Sequence, residues 1–376
     1  MKSESLKNIF LGIFLSLNLF GVFYNGTIFI LKMGDLDRAL MRVIYSFVAL
    51  LCFFIFSNIS LKWLMRKAPI FFMFCLLLMG LVFSPGLGVT RLGATRWLSV
   101  PPLSWFGIMI QPAEIVKLGF VVFLSCILGR FFETNSREES SVFSNLFYGR
   151  LHWSRYSVAV LFSFILLFLT VFQKDITMIF FYIVIFLGFS WMAGMKIYKI
   201  IILSIIITGF MGWFIFNDSN RMARLTSFLD VEAHRHGAGY QLYHSLISVG
   251  SGGMTGKGIN QADHLYLLSE VENDFILANI AEENGFIGTS LIILLYLLFF
   301  ISGMYLVYRL NDFPYQLLAF GLVLVFTLQA MIHFCVVLGL MPTTGIPLPV
   351  ISYGGTSLAV FGCLFGIMNR LAGEIR

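Results

Sequence analysis

Long apolar stretches alternate with short polar ones along almost the whole chain. A helix needs about 20 apolar residues to cross about 30 Å of hydrocarbon, and the apolar stretches meet this requirement ten times. The sequence therefore predicts an all-α, polytopic integral membrane protein that forms a single membrane domain over residues 1–376. The predicted spans are residues 9–31, 43–61, 69–85, 112–129, 156–172, 176–194, 198–216, 275–308, 315–340 and 351–369. We expect the first span to be retained, because its apolar run shows no small-residue cleavage pattern before Gly21.

Composition supports a chain embedded in lipid. Of its 376 residues, 59% are hydrophobic and only 12% are charged, against about 25% charged in a soluble domain. The net charge of +6 suits contact with anionic lipid. The basic residues are dispersed and match no nucleic-acid-binding motif, so we expect no nucleic-acid partner. The five cysteines lie in apolar runs without paired spacing, which favours buried thiols over disulfides or metal ligands.

The distribution of Lys and Arg predicts the orientation in the membrane. With the N-terminus in the cytoplasm, the cytoplasmic side holds 14 of these residues and the short outer loops hold six. Cytoplasmic loops carry the excess of positive charge, so we expect both termini and the polar segment 131–155 in the cytoplasm. Loops 86–111 and 217–273 then face the outside, which in a bacterium is the periplasm or the cell exterior.

Four carboxylates lie where the eighth predicted span begins, in "VENDFILANIAEENGFIG", residues 271–288, and three of them, Asp274, Glu282 and Glu283, are functional candidates. Asp274 and Glu282 share one stripe of a helix through this stretch, and Glu283 extends the polar arc. Ionisable residues at a membrane span are costly in lipid and are functional candidates by default. Asp274 is the outermost of the three and is the candidate catalyst, although Asp is also a favoured helix N-cap. Glu282 and Glu283 are candidates for shaping the cavity.

A second charged pair lies in "IQPAEIVKL", residues 110–118. Pro112 suits the first turn of a helix, and Glu114 and Lys117 are three residues apart on one helix face. They form either a buried structural pair or the charged wall of a substrate cavity. In the outer turn between the fifth and sixth spans, Asp175 is a candidate for substrate binding or for capping the next helix.

The outer loop 217–273 contains basic and glycine-rich stretches. Arg221 and Arg224 would share one helix edge suited to phosphate or pyrophosphate, or to lipid headgroups. The stretch "SVGSGGMTGKGI", which contains Lys257, lacks the residue order of a nucleotide-binding phosphate loop. Its glycines more simply permit tight turns and close backbone approach.

The segment "MPTTGIPLPVISYGGTSLAV", residues 341–360, is broken by proline and glycine. Irregular backbone at membrane depth is tolerated where it is buried in protein or lines a cavity. We therefore predict a polar cavity that opens outward, with an ordinary outer loop as the alternative. The candidates for hydrogen bonds to substrate are Thr344, Ser352 and Tyr353, and those for shaping the segment are Pro347, Pro349, Gly354 and Gly355.

Taken together, "QPAEIVKL", "QKDI", "RLTSFLD", "GYQLYHSLISVGSGGMTGKGI", "NDFILANIAEENGFIG" and "TGIPLPVISYGGTSL" resemble the shape, elongation, division and sporulation (SEDS) family, whose familiar members are RodA and FtsW. The resemblance runs from about residue 90 to 370. It implies a peptidoglycan glycosyltransferase that polymerises lipid II beside a class B penicillin-binding transpeptidase. It also implies that Asp274 is essential and that Glu114, Lys117 and Asp175 match functional positions. Lys174 stands where relatives have proline, which puts the shape of the turn at Asp175 in doubt.

The resemblance implies an inverting transfer to the 4-hydroxyl of GlcNAc, and we expect Asp274 to accept the hydroxyl proton as general base. Positive groups should stabilise the pyrophosphate leaving group; the candidates are Arg91, Arg96, Arg221, Arg224 and Lys257. A divalent cation such as Mg or Mn could share this role, although no ligand cluster has a clear spacing. A transporter of lipid II or another amphiphile, and a scaffold that only recruits a wall synthase, are the alternatives. The motifs do not separate an elongation member from a division member.

Overall fold

The structure is a computed structural model and describes residues 3–91, 94–101, 104, 109–133, 153–263 and 270–375. Twelve helices are described within these ranges. They are α1 Ser3–Gly26, α2 Leu36–Ser57, α3 Leu61–Leu81, α4 Pro112–Glu133, α5 Trp153–Phe172, α6 Ile176–Met192, α7 Ile197–Phe216, α8 Ser219–Leu229, α9 Tyr240–Ser251, α10 Ile276–Arg309, α11 Phe313–Val337 and α12 Gly355–Ala372. A π-helical turn, Thr27–Met33, continues α1.

Ten of these helices coincide with the ten predicted spans, and the prediction of an all-α polytopic membrane protein is confirmed. Seven stretches are long and apolar enough to cross a bilayer, and three shorter apolar helices lie at Tyr156–Phe172, Ile176–Met192 and Ile197–Gly209. The number of ten membrane crossings stays a prediction.

Two helices begin earlier than hydropathy predicts. The prediction of residue 43 for the start of α2 is wrong: α2 begins at Leu36, because the Asp35 side chain accepts a hydrogen bond from the Arg38 N–H (3.0 Å). Helix α3 begins at Leu61 rather than at residue 69, because Ser60 caps it in the same way. Capping residues fix a helix start through local hydrogen bonds, and a search for apolar windows does not detect them.

The bundle core is built on aromatic side chains between α10, α11 and α12. The ring centroid of Phe299 lies 4.3 Å from that of Phe326 and 4.8 Å from that of Phe365. Helices α2 and α12 approach most closely at Gly362, where a Cβ would collide with the carbonyl of Ala49. Large apolar side chains elsewhere point outward, including Leu19 at 68% exposure, as expected for a surface that faces lipid.

The two ends of the bundle differ in character. At one end, the Ser3 hydroxyl donates to the Ala372 carbonyl (2.7 Å), which brings the first and last helices together. At the other end, the predicted outer loops carry a β-hairpin and the two short helices α8 and α9, none of which hydropathy predicted as a span. The hairpin pairs β1, Gly88–Arg91, with β2, Ala94–Leu98, in antiparallel register.

Candidate active site

Asp274 precedes α10 and does not cap it. The N-cap residue is Phe275, and no side chain donates or accepts a capping hydrogen bond there. The backbone N–H of Asp274 donates to the Glu270 carbonyl (3.0 Å). No described residue forms a hydrogen bond or ion pair with the Asp274 carboxylate, which stays partly exposed. The capping interpretation of Asp274 is therefore wrong, and the carboxylate is available for another partner.

A proline-containing segment, residues 345–353, lies against Asp274; we call it the proline segment. It begins at Gly345, whose φ of 71° is in the left-handed region and whose Cβ, if present, would lie 3.4 Å from Asp274 Oδ2. Near its other end, the Ser352 hydroxyl donates to the Asn273 carbonyl (2.7 Å), and the Tyr353 N–H donates to the Glu272 carbonyl (2.9 Å). The Ser352–Tyr353 end of the proline segment thus fixes the turn that holds Asp274, and the Gly345 end lies beside its carboxylate.

The surroundings of Asp274 favour its protonated form. Burial among packed atoms raises the pKa of the Asp274 carboxyl to about 7, and the negative charge of Glu270 acts in the same direction. The guanidinium of Arg224 lowers this pKa, and Glu272 raises it slightly. A carboxyl with a pKa near neutrality can accept a proton from a hydroxyl and later release it to water.

Two arginines lie near the turn that holds Asp274. Arg224 donates from Nη1 to the Thr343 carbonyl (3.4 Å), which places α8 beside the proline segment. On another side, Arg38 lies 3.5 Å from Glu272. Arg221 pairs with Asp218 (3.4 Å) at the start of α8. Arg224 is the predicted basic residue that the structure brings to Asp274, while the phosphate-binding role of both α8 arginines stays a prediction.

Asp175 caps α6, as one of its two interpretations expected. Its carboxylate accepts a hydrogen bond from the Met178 N–H (3.2 Å). Arg96 Nε lies 3.4 Å from the same carboxylate and also donates to the Lys174 carbonyl (2.6 Å). Lys174 adopts the left-handed region, with φ 55°, so the turn here is stabilised by Arg96. Substrate binding by Arg96 and Asp175 stays a prediction.

Glu114 and Lys117 form a buried ion pair in α4. Lys117 Nζ lies 2.8 Å from Glu114 Oε2, and each residue is 1% exposed. The ammonium also donates to Gln329 Oε1 (2.5 Å) and lies 5.1 Å from the centroid of the Phe181 ring. The described contacts of Lys117 are therefore internal, which fits the interpretation as a structural pair. The prediction that the pair contacts substrate is untested.

The start of α6 contacts the residue that precedes the proline segment: the Thr177 hydroxyl donates to the Thr344 carbonyl (3.4 Å). The hydroxyl of Thr344 itself is buried and has no hydrogen-bond partner among the described residues. Thr344 thus lies between α6 and Gly345, with a buried hydroxyl that is free to donate. Its predicted role in substrate binding stays a prediction.

The glycine-rich stretch docks onto a break in α10. Gly285, with φ 64° and ψ −165°, interrupts the helix that the sequence predicted as continuous through residue 288. The amides of Lys257 and Gly258 donate to the carbonyls of Glu282 (2.9 Å) and Glu283 (3.0 Å). Such backbone pairing needs close approach that only glycine allows, and a Cβ at Gly285 would collide with the backbone of this stretch.

The side chains of Glu282 and Glu283 also bind the glycine-rich stretch. The Lys257 ammonium lies 2.7 Å from Glu282 Oε1, which also accepts from the Asp263 N–H (2.9 Å). Glu283 Oε1 accepts from the Asn260 N–H (3.2 Å). The two carboxylates thus hold the glycine-rich stretch onto α10. Lys257 is paired within the protein, and its predicted role at the pyrophosphate stays a prediction.

Several residues were not found from the sequence alone. Arg38 entered only the charge count, Glu272 was only part of a quoted motif, and Gln329 lies in an apolar run; only contacts between distant segments show what they touch. The side chain of Arg91 lies outside the described residues, as do residues 134–152 of the predicted cytoplasmic loop. In the described ranges, no three His, Cys, Asp or Glu side chains group into a metal site.

Comparison with known proteins gives consistent matches over nearly the whole chain. The family model described as "Cell cycle protein", which covers FtsW, RodA and SpoVE, matches residues 8–376. A probable peptidoglycan glycosyltransferase FtsW of Borreliella burgdorferi is 30% identical over 98% of this chain and 97% of its own. Stage V sporulation protein E of Bacillus subtilis is also 30% identical, over 88% of this chain and 86% of its own.

Solved structures share the fold. A chain from a peptidoglycan synthase complex that couples polymerization and crosslinking has a TM-score of 0.77 and 19% identity, with 97% of each chain covered. The rod shape determining protein RodA of Thermus thermophilus has a TM-score of 0.66 and 19% identity, covering 97% of this chain and 96% of its own. The predicted resemblance to RodA and FtsW is thereby confirmed.

Proposed function

Because the chain belongs to the family of FtsW, RodA and SpoVE, with relatives named as peptidoglycan glycosyltransferases, we propose that it polymerises lipid II into β-1,4 glycan strands with Asp274 as general base. The observation that supports this assignment is the state of the Asp274 carboxylate. It is partly exposed, it is bound by no described side chain, and burial raises its pKa to about 7. A carboxylate held for structure would instead be paired or used as a cap.

The proposed step is a single displacement at the anomeric carbon of the donor. The 4-hydroxyl oxygen of the acceptor GlcNAc forms the new bond to this carbon, and its proton passes to Asp274. The bond from the anomeric carbon to the pyrophosphate oxygen breaks, and the lipid pyrophosphate leaves with the electron pair. The hydroxyl is a weak nucleophile, and removing its proton as the bond forms makes it more reactive. Such general base catalysis raises the reaction rate by about 10²- to 10⁴-fold.

Charge develops on the leaving pyrophosphate, and we assign its stabilisation first to Arg224. Arg224 is exposed and acts electrostatically on Asp274, so a phosphate near it would also be near the base. The Mg or Mn ion considered from the sequence is kept as a proposal, with no protein ligand group assigned to it. Loss of polymer formation in EDTA, with recovery on adding Mg, would support this cation.

We also propose that the protein lies in the bacterial cytoplasmic membrane with both termini in the cytoplasm. The structure supports this orientation by geometry: Asp274 lies at the end of the bundle opposite to Ser3 and Ala372. The excess of Lys and Arg in the predicted inner loops supports it by charge. A class B penicillin-binding transpeptidase is the proposed partner, because a structural relative comes from a complex that couples polymerization and crosslinking.

The test is lipid II polymerisation by the purified full chain, with and without its cognate transpeptidase, comparing wild type with Asp274→Asn. We expect wild type to form polymer and Asp274→Asn to form about 10²-fold less or none, while Asp312→Asn, at the opposite end of the bundle, behaves as wild type. If Asp274→Asn polymerises at the wild-type rate, Asp274 is not the base. Headgroup translocation without polymer by the wild type would instead indicate a transporter.

A further inference from the structure

The carbonyl groups of the proline segment are bound by side chains from four different helices. Proline supplies no N–H, and the turns of this segment cannot satisfy all of their own carbonyl groups. The bonds are His333 Nδ1 to the Ile346 carbonyl (2.9 Å), Gln329 Nε2 to Pro347 (3.0 Å), the Tyr296 hydroxyl to Pro349 (2.6 Å), Arg42 Nη2 to Val350 (2.8 Å) and Asn25 Nδ2 to Ile351 (2.8 Å). An irregular segment is thereby fixed in one position within the bundle.

Gln329 differs from the other side chains in this set, because both its amide nitrogen and its amide oxygen form hydrogen bonds. Its Nε2 donates to the Pro347 carbonyl (3.0 Å), and its Oε1 accepts from the Lys117 ammonium (2.5 Å). The orientation of the amide is chemically determined: an ammonium only donates, and a carbonyl only accepts. Lys117 in turn is held by Glu114. Gln329, which is fully buried, therefore joins the ion pair of α4 to the proline segment.

We propose that Gln329 is a positioning residue for glycosyl transfer, which transmits the placement of the Glu114–Lys117 pair through Pro347 to the backbone beside Asp274. This proposal rests on the proposed function. Only one residue, Ile346, separates Pro347 from Gly345, and Gly345 lies beside the Asp274 carboxylate, with its Cβ position 3.4 Å from Oδ2. A shift of Pro347 therefore changes how closely the proline segment approaches the base.

The proline segment acts on Asp274 by excluding water and not by charge. Residues 345–353 contain no Asp, Glu, Lys, Arg or His. The charged groups that act on Asp274 are Glu270, Glu272 and Arg224, and none of these belongs to the proline segment. If Gln329 no longer holds Pro347, more water reaches the carboxyl and its pKa falls. The expected signature is a lower rate together with an acid limb of the pH profile that moves to lower pH.

The chain offers a closely matched control. Gln316 lies on the same helix, α11, is also buried, and donates from Nε2 to a backbone carbonyl, that of Leu310 (2.5 Å). It lies at the end of α11 remote from Asp274. Gln316→Met removes the same chemical group and the same type of hydrogen bond as Gln329→Met. A general loss of helix stability would therefore appear in both variants.

The experiment measures kcat, KM and the pH profile of lipid II polymerisation for the full-length wild type, Gln329→Met, Gln329→Asn and Gln316→Met. We expect Gln329→Met to lower kcat by roughly tenfold, with KM within about twofold, and to move the acid limb down by about half a pH unit. Gln329→Asn keeps the amide but is one methylene too short to bridge Lys117 and Pro347, so it should behave like Gln329→Met. Gln316→Met should keep the wild-type profile.

The outcomes are distinguishable. A wild type that forms no polymer would refute the proposed function itself. A polymerising wild type with a Gln329→Met variant of unchanged kcat and pH profile would refute the positioning role. The same conclusion follows if Gln329→Asn restores wild-type behaviour, since bridging would then be unnecessary, or if Gln316→Met shows the same changes. Should Gln329→Met fail to fold, Gln329→Asn, which keeps a polar group beside Lys117, decides the question.

Discussion

The backbone of Gly345 turns beside the carboxylate of Asp274, so near that a Cβ atom at Gly345 would lie 3.4 Å from Oδ2. Gly345 also adopts φ 71°, a conformation that costs a residue with a Cβ about 1–2 kcal/mol. A side chain here would therefore have two effects: strain in the turn, and van der Waals contact with the proposed base. Each can be tested separately, because the chain contains other left-handed glycines in open surroundings.

The first prediction concerns Gly345→Ala. The new methyl group should strain the turn and occupy space beside Asp274 Oδ2 that the acceptor hydroxyl would need, lowering both the melting temperature and the rate of lipid II polymerisation. Gly34→Ala is the control, since Gly34 has φ 67° but nothing within 4 Å of a Cβ. It should show a comparable loss of thermal stability with an unchanged rate per folded molecule. Equal rates for the two variants would show that contact with Asp274 is unimportant.

The second prediction is a pH dependence of polymerisation. A general base must be deprotonated, and burial raises the pKa of Asp274 to about 7. The rate should therefore rise with pH through about 7 and level off above it, rather than level off near the ordinary aspartate value of about 4. Initial rates between pH 5 and pH 9 measure this. A rate that is flat from pH 5 to pH 8 would contradict Asp274 as the titrating base.

The third prediction uses the charge of Arg224. Its guanidinium lowers the pKa of Asp274, so Arg224→Ala should raise that pKa and move the acid limb of the pH–rate profile to higher pH. Arg221→Ala, on the same helix, removes an equal charge that pairs with Asp218 and should leave the midpoint in place. A midpoint that moves equally in both variants would indicate a general effect of lost charge.

The fourth prediction concerns the junction between the glycine-rich stretch and α10. Lys257→Met should remove the ammonium that lies 2.7 Å from the buried Glu282 carboxylate and lower thermal stability, by less than for a pair with both charges buried, because the Lys257 side chain is 27% exposed. The double variant Lys257→Met with Glu282→Gln removes the buried charge as well and should recover part of this stability. Thermal unfolding of the two variants in one detergent gives the comparison. No recovery in the double variant would show that the charge is compensated elsewhere.

Much of this architecture could be predicted from the sequence. Each apolar run became a helix, because lipid leaves the backbone no other way to satisfy its hydrogen bonds within one segment. The helix starts at Leu36 and Leu61 were missed, since they depend on single capping residues. The hairpin at Gly88–Leu98 was also missed, because it depends on pairing within a short outer loop.

The sequence identified several residues of the candidate site but not the contacts between them. Asp274 stood out because a carboxylate at a membrane edge is costly. The role of Gln329 could not be predicted from the sequence. Its amide lies within an apolar run, and its partners, Lys117 and Pro347, are close only in the folded protein. Likewise, a helical wheel drawn through residue 288 could not anticipate the break at Gly285, which is caused by a stretch almost 30 residues earlier in the chain.

The break at Gly285 divides α10 into a short part before it and a long part after it. The short part next to Asp274 is hydrogen-bonded to the glycine-rich stretch, while the long apolar part packs into the bundle. The short part, residues 276–283, is buried throughout, and Asp274 precedes it on a turn bonded to Ser352 and Tyr353. The break at Gly285 therefore lets the chain that carries the proposed base follow a different direction from the long lipid-facing helix beneath it.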